Sequence, residues 1–413
     1  MGGSDINGGK SNGPLEGVRI LELGVFHAGP GACAILGDLG ADIIKIEPME
    51  GDPERYWTTV GRIDFSLPNG DNIMFHASNR NKRGICLDLK KPGAREVFLR
   101  LVQWADVFLT NLRKSTQRKL GLDYAAISNV KSGMVYASVS GYGPEGPMSD
   151  LGAFDPLGLA RSGLMFVTGT EEPAFLHIGI LDQATAITAS HAILAALVQK
   201  ERTGVGQEVN VSLYSAGQWL MYPNLMISNV LGIDPNNTGE RDEHSPLRNF
   251  FRCKDGRWIM GTHHPEGRYW ASFCEATEQQ DLITDPRFVN EEARAANCAE
   301  LVAHFDKVFA TRTRDEWMAV FLPRGLMFSS IQHVSEIKND PQALANDYVV
   351  DFDDPAVGEV KLPGYPARFG RARAGTRKLG PALGEHTEEV LRDMGFASAS
   401  KEIESLRKER AVG

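Results

Sequence analysis

The feature that most constrains this chain is the alternation of short apolar segments with helical segments along its first half. Residues 17–23 and 41–47 have the composition of buried strands, and 32–39 between them predicts a helix that ends at Gly40. The pattern continues with helix 93–104, strand 107–110, helix 123–128 and strand 134–140. Strands that alternate with helices predict an α/β fold with a doubly wound parallel sheet. A ligand is then expected at the carboxyl ends of the strands.

The architecture is expected to change near residue 240. A helix over 183–201 and a strand over 208–213 extend the first pattern, whereas Lys254-Asp255-Gly256 predicts the turn of a hairpin that helical segments follow. We therefore expect a small α+β domain, after which the C-terminal part either forms a third unit or returns to the first sheet. The expected divisions are a disordered leader at 1–13, a large domain at 14–225, a small domain at 240–325, a linker at 326–347 and a C-terminal part at 348–413.

Composition and charge exclude several classes of function. The chain has 413 residues, 42% of them hydrophobic, and a net charge of -9 from 44 basic and 53 acidic side chains. This balance argues against nucleic acid as a partner, because such proteins need a basic face. With no apolar run near the roughly 18–20 residues of a membrane span and no signal-peptide core, we expect no membrane partner and a cytoplasmic location. The five cysteines form no CxxC pair, which favours buried thiols over a disulfide framework or a metal site.

Two basic segments and a glycine-rich turn are candidates for binding an anion. Residues 79–91 are rich in lysine and arginine, and 111–119 directly follow the predicted strand 107–110. Either segment alone is compatible with a solvated surface, but two basic clusters at one sheet edge favour a ligand with several phosphate groups. The turn 24–31 lies between strand and helix, where backbone N–H groups bind anions, although it is not a GxGxxG motif.

A third candidate region is the glycine-rich segment 141–182. It carries Asp155, Glu171, Glu172 and Asp182. Carboxylates in such loops commonly cap turns and helices, so they gain catalytic meaning only where a substrate is delivered. From residue 14 onward the sequence has no GxSxG, HExxH or GxxxxGK[ST] motif, so serine hydrolases, zinc proteases and phosphate-loop enzymes are not indicated.

Taken together, several motifs resemble the class III CoA-transferase family. They are 14–23, 40–47, 79–83, 140–144, 203–207 and 383–387, in the order of the family. The resemblance implies acyl-CoA as a substrate rather than a prosthetic group, which matches the expected polyanion. It also implies a large Rossmann-like domain built from both chain ends, an inserted small domain, and two interlocked subunits. Those subunits form either a homodimer or a hetero-oligomer with a paralogous chain.

The resemblance also assigns site residues by their place in the motifs. A carboxylate nucleophile is implied shortly after the loop 162–169, where Glu172 is the best match, Glu171 the second and Asp155 the third. The residues implied to line the CoA site are His27, Asn81, Lys82, Arg83, Leu87, Lys90, Asn111, Leu112, Arg113 and Lys119. No metal ligand is implied.

The implied reaction moves CoA from an acyl-CoA donor to a carboxylic acid through an enzyme-bound anhydride and an enzyme-bound CoA thioester. The sequence resembles most those family members that act on aromatic or branched acids. Two alternatives stay open. One is an α-methylacyl-CoA racemase, for which Phe154 replaces the histidine of that branch, Asp182 stands at the partner position and His264 stands where racemases carry a glutamate. The other is a catalytically silent subunit of a hetero-oligomeric transferase.

Overall fold

A computed structural model describes residues 13–169, 172–235, 241–396 and 401–413. The chain divides into two compact units, of which the first comprises 1–237 and 347–413 and the second comprises 238–346. Apart from Gly13, the expected disordered leader lies outside the described residues.

The first unit is built on a six-stranded parallel sheet. Its strands are β1 (Arg19–Leu23), β2 (Asp42–Glu47), β5 (Lys82–Cys86), β6 (Val107–Thr110), β7 (Val135–Ser140) and β8 (Glu208–Ser212), and the two-residue strands β3 (Thr59–Val60) and β4 (Ile63–Asp64) form a separate antiparallel pair. The spatial order is β5-β2-β1-β6-β7-β8. The chain builds outward from β1 to β5 and then continues on the other side of β1, so the order reverses between β1 and β6. A ligand-binding crevice is expected at the carboxyl ends of these two strands.

Helices cover both faces of this sheet. The helices of this unit are α1 (Ala28–Asp38), α2 (Ile73–Asn79), α3 (Pro92–Trp104), α4 (Lys114–Leu120), α5 (Tyr124–Val130), α6 (Asp155–Ser162), α7 (Leu164–Thr168), α8 (Ile180–Thr203), α9 (Leu213–Leu220), α10 (Tyr222–Leu231), α17 (Thr387–Asp393) and α18 (Lys401–Lys408). One core contains Phe98 and Phe108, and the core on the other face contains Leu36 and Ile193. Burial on both faces explains why β6, in the middle of the sheet, is apolar and buried along nearly its whole length rather than alternating.

Helix α8 is long and apolar enough to cross a membrane by length and composition. The sequence pattern did not indicate this, because polar but uncharged residues interrupt its apolar runs. In the structure Ala186, Ala189 and Ile193 are buried in the core that α8 shares with α1. A core helix of a folded domain passes the same length test, so the finding is weak evidence for a membrane span.

The C-terminal segment packs on the edge strand β5. His386 N donates to Gly84 O at 2.9 Å, and Gly84 N donates to His386 Nδ1 at 3.2 Å. Before this segment, β12 (Val349–Asp354) and β13 (Gly358–Pro363) form a hairpin.

The second unit contains a three-stranded antiparallel sheet, in the order β11-β10-β9. Its elements are β9 (Phe250–Arg252), β10 (Trp258–Gly261), α11 (Trp270–Ala276), α12 (Glu291–Ala296), α13 (Cys298–Phe309), α14 (Arg314–Phe321), β11 (Phe328–Ile331), α15 (Val334–Ile337) and α16 (Pro341–Ala345). The β9–β10 hairpin lies where the Asp-Gly turn predicts it. Residues 326–347 differ from the expected linker, because buried Leu326 and Phe328 join the core of this unit and β11 pairs with β10.

Candidate active site at the carboxyl edge of the sheet

A cavity of about 600 Å³ opens at the carboxyl ends of β1, β6 and β7. This is the crevice that the reversal of strand order predicts. Its wall includes the turn after β1, the start of α4 and the first turn of α8. Of the residues that the sequence assigns to a CoA site, His27, Asn111, Leu112 and Arg113 line this cavity.

A second cavity, of about 300 Å³, lies at the ends of β1 and β2. The two cavities share Val25, Leu112 and Thr116. Leu87 and the exposed Lys90 also line the second cavity. Together the two cavities form an elongated site in which Lys90 is available to a phosphate group.

Asn111 holds the turn after β1 in place. Its Oδ1 accepts a hydrogen bond from Val25 N at 3.0 Å, and its Nδ2 donates to Val25 O at 2.7 Å. The glycine-rich turn packs closely on this side chain, since a Cβ at Gly24 would lie 3.1 Å from Asn111 Oδ1 and one at Gly29 would lie 3.2 Å from Asn111 Cβ. Glycine at positions 24 and 29 therefore leaves room for the side chain of Asn111 to pack against the turn.

Lys82, predicted to line the CoA site, has a structural role instead. It lies in β5 and is fully buried, with Nζ 2.6 Å from Glu22 Oε2. Glu22 Oε1 is 3.1 Å from Lys45 Nζ, which is 2.9 Å from Asp52 Oδ2. Phe26 N donates to Asp52 Oδ1 at 3.2 Å, so this chain of buried ions ends at the turn after β1. Burial raises the pKa of Glu22, but Lys82 and Lys45 outweigh it and leave that pKa below its usual value.

Asn81 and Arg83 are likewise occupied within the fold. The buried Asn81 donates from Nδ2 to Asp38 Oδ1 at 2.7 Å and accepts from Arg377 N at 2.8 Å. Arg83 forms an ion pair with Asp42 at 2.7 Å and two more with carboxylates of α17. The motif 79–83 therefore joins the sheet to the C-terminal segment, and neither Asn81 nor Arg83 lines one of the cavities described here.

Lys119 and Arg113 complete the set of residues predicted for CoA. Lys119 is exposed on α4 and lines none of the cavities described here. Arg113 lies against Gly152, where a Cβ would come within 2.9 Å of the guanidinium. A side chain at residue 152 would therefore displace Arg113 from the wall of the first cavity.

A third cavity, of about 160 Å³, adjoins the first and is mainly apolar. Its apolar lining consists of Phe26, Trp57, Val60, Ile63, Phe65, Met74, Phe154, Pro156, Phe175, Leu176 and Ile178. The ring of Phe26 meets Trp57 at 5.6 Å and Phe154 at 5.2 Å between centroids, both edge to face. The first and third cavities share Phe26, His27, Phe154 and Asp182. Phe154 thus has a packing role and offers no group for proton transfer.

Asp155, one of the three predicted nucleophiles, accepts hydrogen bonds from a helix N-terminus. Its Oδ2 accepts from Leu181 N at 2.6 Å and from Asp182 N at 3.0 Å. These are N–H groups of the first turn of α8, which have no partner within the helix. Asp155 is 5% exposed, and its two hydrogen bonds fix the start of α8.

Asp182 is the carboxylate that lies where the first and third cavities meet. Burial raises its pKa to about 7, and the neighbouring charges of Asp155 and Glu54 act in the same direction. His27 lies beside it, with Nε2 at 2.9 Å from Gln183 Oε1, and burial lowers the pKa of His27. A neutral imidazole and a partly desolvated carboxylate therefore line the same opening.

Glu172, the best sequence match for a nucleophile, is exposed and lines none of the three cavities. Glu171 lies outside the described residues. The structure thus gives no support to Glu172 as the reacting group. The sequence carried a signal for Asp182, because it lies directly before the predicted helix 183–201 and three residues after Gly179.

The remaining sequence predictions concern metal ions and cysteine thiols. Within the described residues, no group of three or more His, Cys, Asp and Glu side chains is arranged to hold a metal ion. The cysteines at 33, 86, 253, 274 and 298 are all buried and unpaired.

Comparison with known proteins identifies the family. The model of CoA-transferase family III matches residues 15–387, and the chain belongs to this family. The chain is 34% identical to an acyl-CoA transferase of Fusarium pseudograminearum, over 94% of this chain and 86% of that protein. It is 31% identical to a (R)-2-hydroxy-4-methylpentanoate CoA-transferase of Clostridioides difficile, over 92% of this chain and 96% of that protein.

A solved structure supports the same fold. The crystal structure of a CAIB/BAIF family protein from Brucella suis matches with a TM-score of 0.83 and 28% identity, covering 93% of this chain and 100% of that one. The chain is therefore a class III CoA-transferase whose substrates include a CoA thioester.

Proposed function

We propose that this enzyme transfers CoA from an acyl-CoA donor to an apolar monocarboxylic acid, with Asp182 as the nucleophile. The observation that carries the proposal is the position of Asp182 in the linings of both the first and third cavities. A thioester bound along the first two cavities would present its acyl group to the third cavity past this carboxylate.

The reaction then proceeds in four steps at the carboxyl group of Asp182, without an external cofactor. The ionised carboxylate attacks the thioester carbonyl, the C–S bond breaks, and a mixed anhydride and CoA thiolate form. The thiolate attacks the Asp182 carbonyl of the anhydride and releases the donor acid, leaving CoA as a thioester on Asp182. The acceptor carboxylate attacks that thioester, and the released thiolate attacks the acceptor carbonyl of the new anhydride. The acyl-CoA product leaves and the Asp182 carboxylate is restored.

Residues of this chain would hold the nucleophile, limit access of water and bind CoA during these steps. Asp155 holds the first turn of α8, so that the carboxylate of Asp182 is held at the meeting point of the cavities. The aromatic rings of Phe26 and Phe154 line both cavities and would limit access of water to the anhydride. Lys90 and Arg113 are the cations of the predicted set that line the cavities where CoA would lie.

The acceptor we propose is aromatic or branched and carries one carboxylate. Most of the third cavity is aromatic or aliphatic, and no lysine or arginine is among the described residues that line it. A second carboxylate there would be desolvated without a counter-charge, which is costly. Acids such as 3-phenylpropanoate and 4-methylpentanoate are therefore expected as acceptors in preference to oxalate or succinate.

A pair of charge-removing variants tests the nucleophile. Asp182→Asn is expected to lower kcat by about a thousandfold or more, because no covalent intermediate forms, while CoA still binds. Glu172→Gln, its matched control in the same segment, is expected to keep kcat within about twofold, since surface changes have small effects. An active Asp182→Asn variant together with an inactive Glu172→Gln variant would return the role to Glu172.

A further inference from the structure

We propose that Glu54 is a specificity-determining residue that binds a hydroxyl substituent on the acyl group in the third cavity. The preferred acid would thus be a hydroxylated, otherwise apolar monocarboxylic acid. This inference rests on the proposed function and adds to it the polar feature of the substrate that the cavity recognises.

The argument begins from the polar groups that line the third cavity, which are His27, Glu54, Asn72, Asp155, His177 and Asp182. Asn72 is occupied: its Nδ2 donates to two backbone carbonyls and its Oδ1 accepts from Met74 N. Asp155 accepts from the first turn of α8. His177 is exposed and packs edge to face on Phe175 at 4.7 Å.

Of the remaining groups, His27 is hydrogen-bonded to Gln183 through Nε2, while its Nδ1 is buried without a partner among the described residues. Asp182 is the proposed nucleophile. Glu54 is left as the carboxyl group of this lining without an assigned task in the reaction. It is 4% exposed and has one side-chain hydrogen bond, from Ser78 Oγ to Oε2 at 2.5 Å. The bond fixes the carboxyl group and leaves Oε1 for another partner.

The chemistry of Glu54 suits a neutral polar substituent. Burial raises its pKa to about 7, and the charge of Asp52 adds to this effect, whereas the hydrogen bond from Ser78 opposes it. In its protonated form a carboxyl group is both donor and acceptor, so it matches a hydroxyl group, which is also both. A substrate without the hydroxyl would leave Oε1 of this buried carboxyl without a partner, and sites of that kind discriminate strongly against the analogue.

Matched pairs of acids measure this recognition. The acceptors are 2-hydroxy-3-phenylpropanoate with 3-phenylpropanoate, and 2-hydroxy-4-methylpentanoate with 4-methylpentanoate, each tested with acetyl-CoA and succinyl-CoA as donors. For the full-length wild-type enzyme, kcat/KM is expected to favour the hydroxy acid of a pair by about tenfold or more. Glu54→Leu is expected to abolish this preference, mainly by lowering kcat/KM for the hydroxy acid.

Two further variants separate recognition from folding. Glu54→Gln retains a donor and an acceptor, so it is expected to keep the preference within about threefold. Glu16→Gln removes an exposed carboxylate that is not part of the cavity lining, and it serves as the charge control. A preference unchanged in Glu54→Leu, or absent from the wild type while CoA transfer proceeds, overturns the role of Glu54 and leaves the proposed function intact. Transfer to neither acid of either pair from any donor overturns both.

Discussion

The carboxylate of Asp155 accepts a 3.0 Å hydrogen bond from the backbone N–H of Asp182 and a 2.6 Å bond from that of Leu181. Two acidic residues thus lie side by side with different tasks. Asp155 stabilises the start of α8, while Asp182 extends its own carboxylate to the meeting point of two cavities. The negative charge of Asp155 also raises the pKa of its neighbour.

Substitutions of Asp155 are therefore expected to separate capping from charge. Asp155→Ala removes the acceptor for two N–H groups at the helix start, which costs about 1–2 kcal/mol in unfolding free energy and lowers kcat because Asp182 is less well held. Asp155→Asn keeps an acceptor and is expected to retain most of that stability. Urea denaturation and kcat for the two variants check this, and equal stability of the wild type and Asp155→Ala would show that the cap is unimportant.

The pH dependence of transfer is expected to report Asp182. The carboxylate must be ionised to attack, and its pKa in the folded enzyme is raised to about 7. Activity should therefore fall as the pH drops through about 7, well above the usual range of aspartate. Asp155→Asn removes one of the charges that raise this pKa, so the acidic limb should move to lower pH. A profile of kcat/KM for the donor against pH tests both points, and a limb near pH 4 in the wild type would contradict them.

Lys82 and Lys90, two lysines of one predicted CoA-binding segment, are expected to behave differently. Lys82→Met breaks the buried pair with Glu22 and should destabilise the protein by about 3–5 kcal/mol. Lys90→Met should leave the unfolding free energy nearly unchanged and weaken CoA binding, because Lys90 is exposed at the second cavity. Urea midpoints and calorimetric CoA titrations compare the two. Loss of CoA binding without loss of stability in Lys82→Met would restore its predicted role.

Asn111 offers a test of the turn after β1. Asn111→Leu removes both hydrogen bonds to the backbone of Val25, which lines the first and second cavities. The expected result is a rise of about tenfold in KM for acyl-CoA with a smaller change in kcat, since the turn supports binding rather than bond formation. The exposed Asn129→Leu is the control. If kcat falls and KM stays constant, Asn111 acts in the chemical step instead.

The sequence predicted the parallel sheet and its ligand edge well, because apolar strands and intervening helices leave a strong local pattern. It missed β5, whose residues 82–86 look basic, since Lys82 is buried by pairing with Glu22 sixty residues earlier in the chain. Likewise the expected linker 326–347 contains a strand, because Phe328 is buried against residues of the second unit that lie far from it in the sequence. Long-range ion pairs and packing decide both cases, and neither leaves a periodic signal.

The candidate site was predictable only in part. The turn at 24–31 and the segment after β6 were placed correctly at the sheet edge, because they follow strands directly. The choice among carboxylates depended on exposure and on which side chains share a cavity. Those properties distinguish Asp182 from Glu172 in the structure, whereas both are acidic residues of one glycine-rich segment in the sequence.

Trapping of the covalent intermediate tests the central claim most directly. The wild-type enzyme is incubated with acyl-CoA and then with hydroxylamine, which converts an activated carboxyl group into a hydroxamate, and peptide fragmentation by mass spectrometry locates the modified residue. The expected result is a hydroxamate on Asp182 that requires acyl-CoA and is lost in Asp182→Asn. A hydroxamate on Glu172 or Glu171, or none on any carboxylate while transfer proceeds, would contradict the assignment.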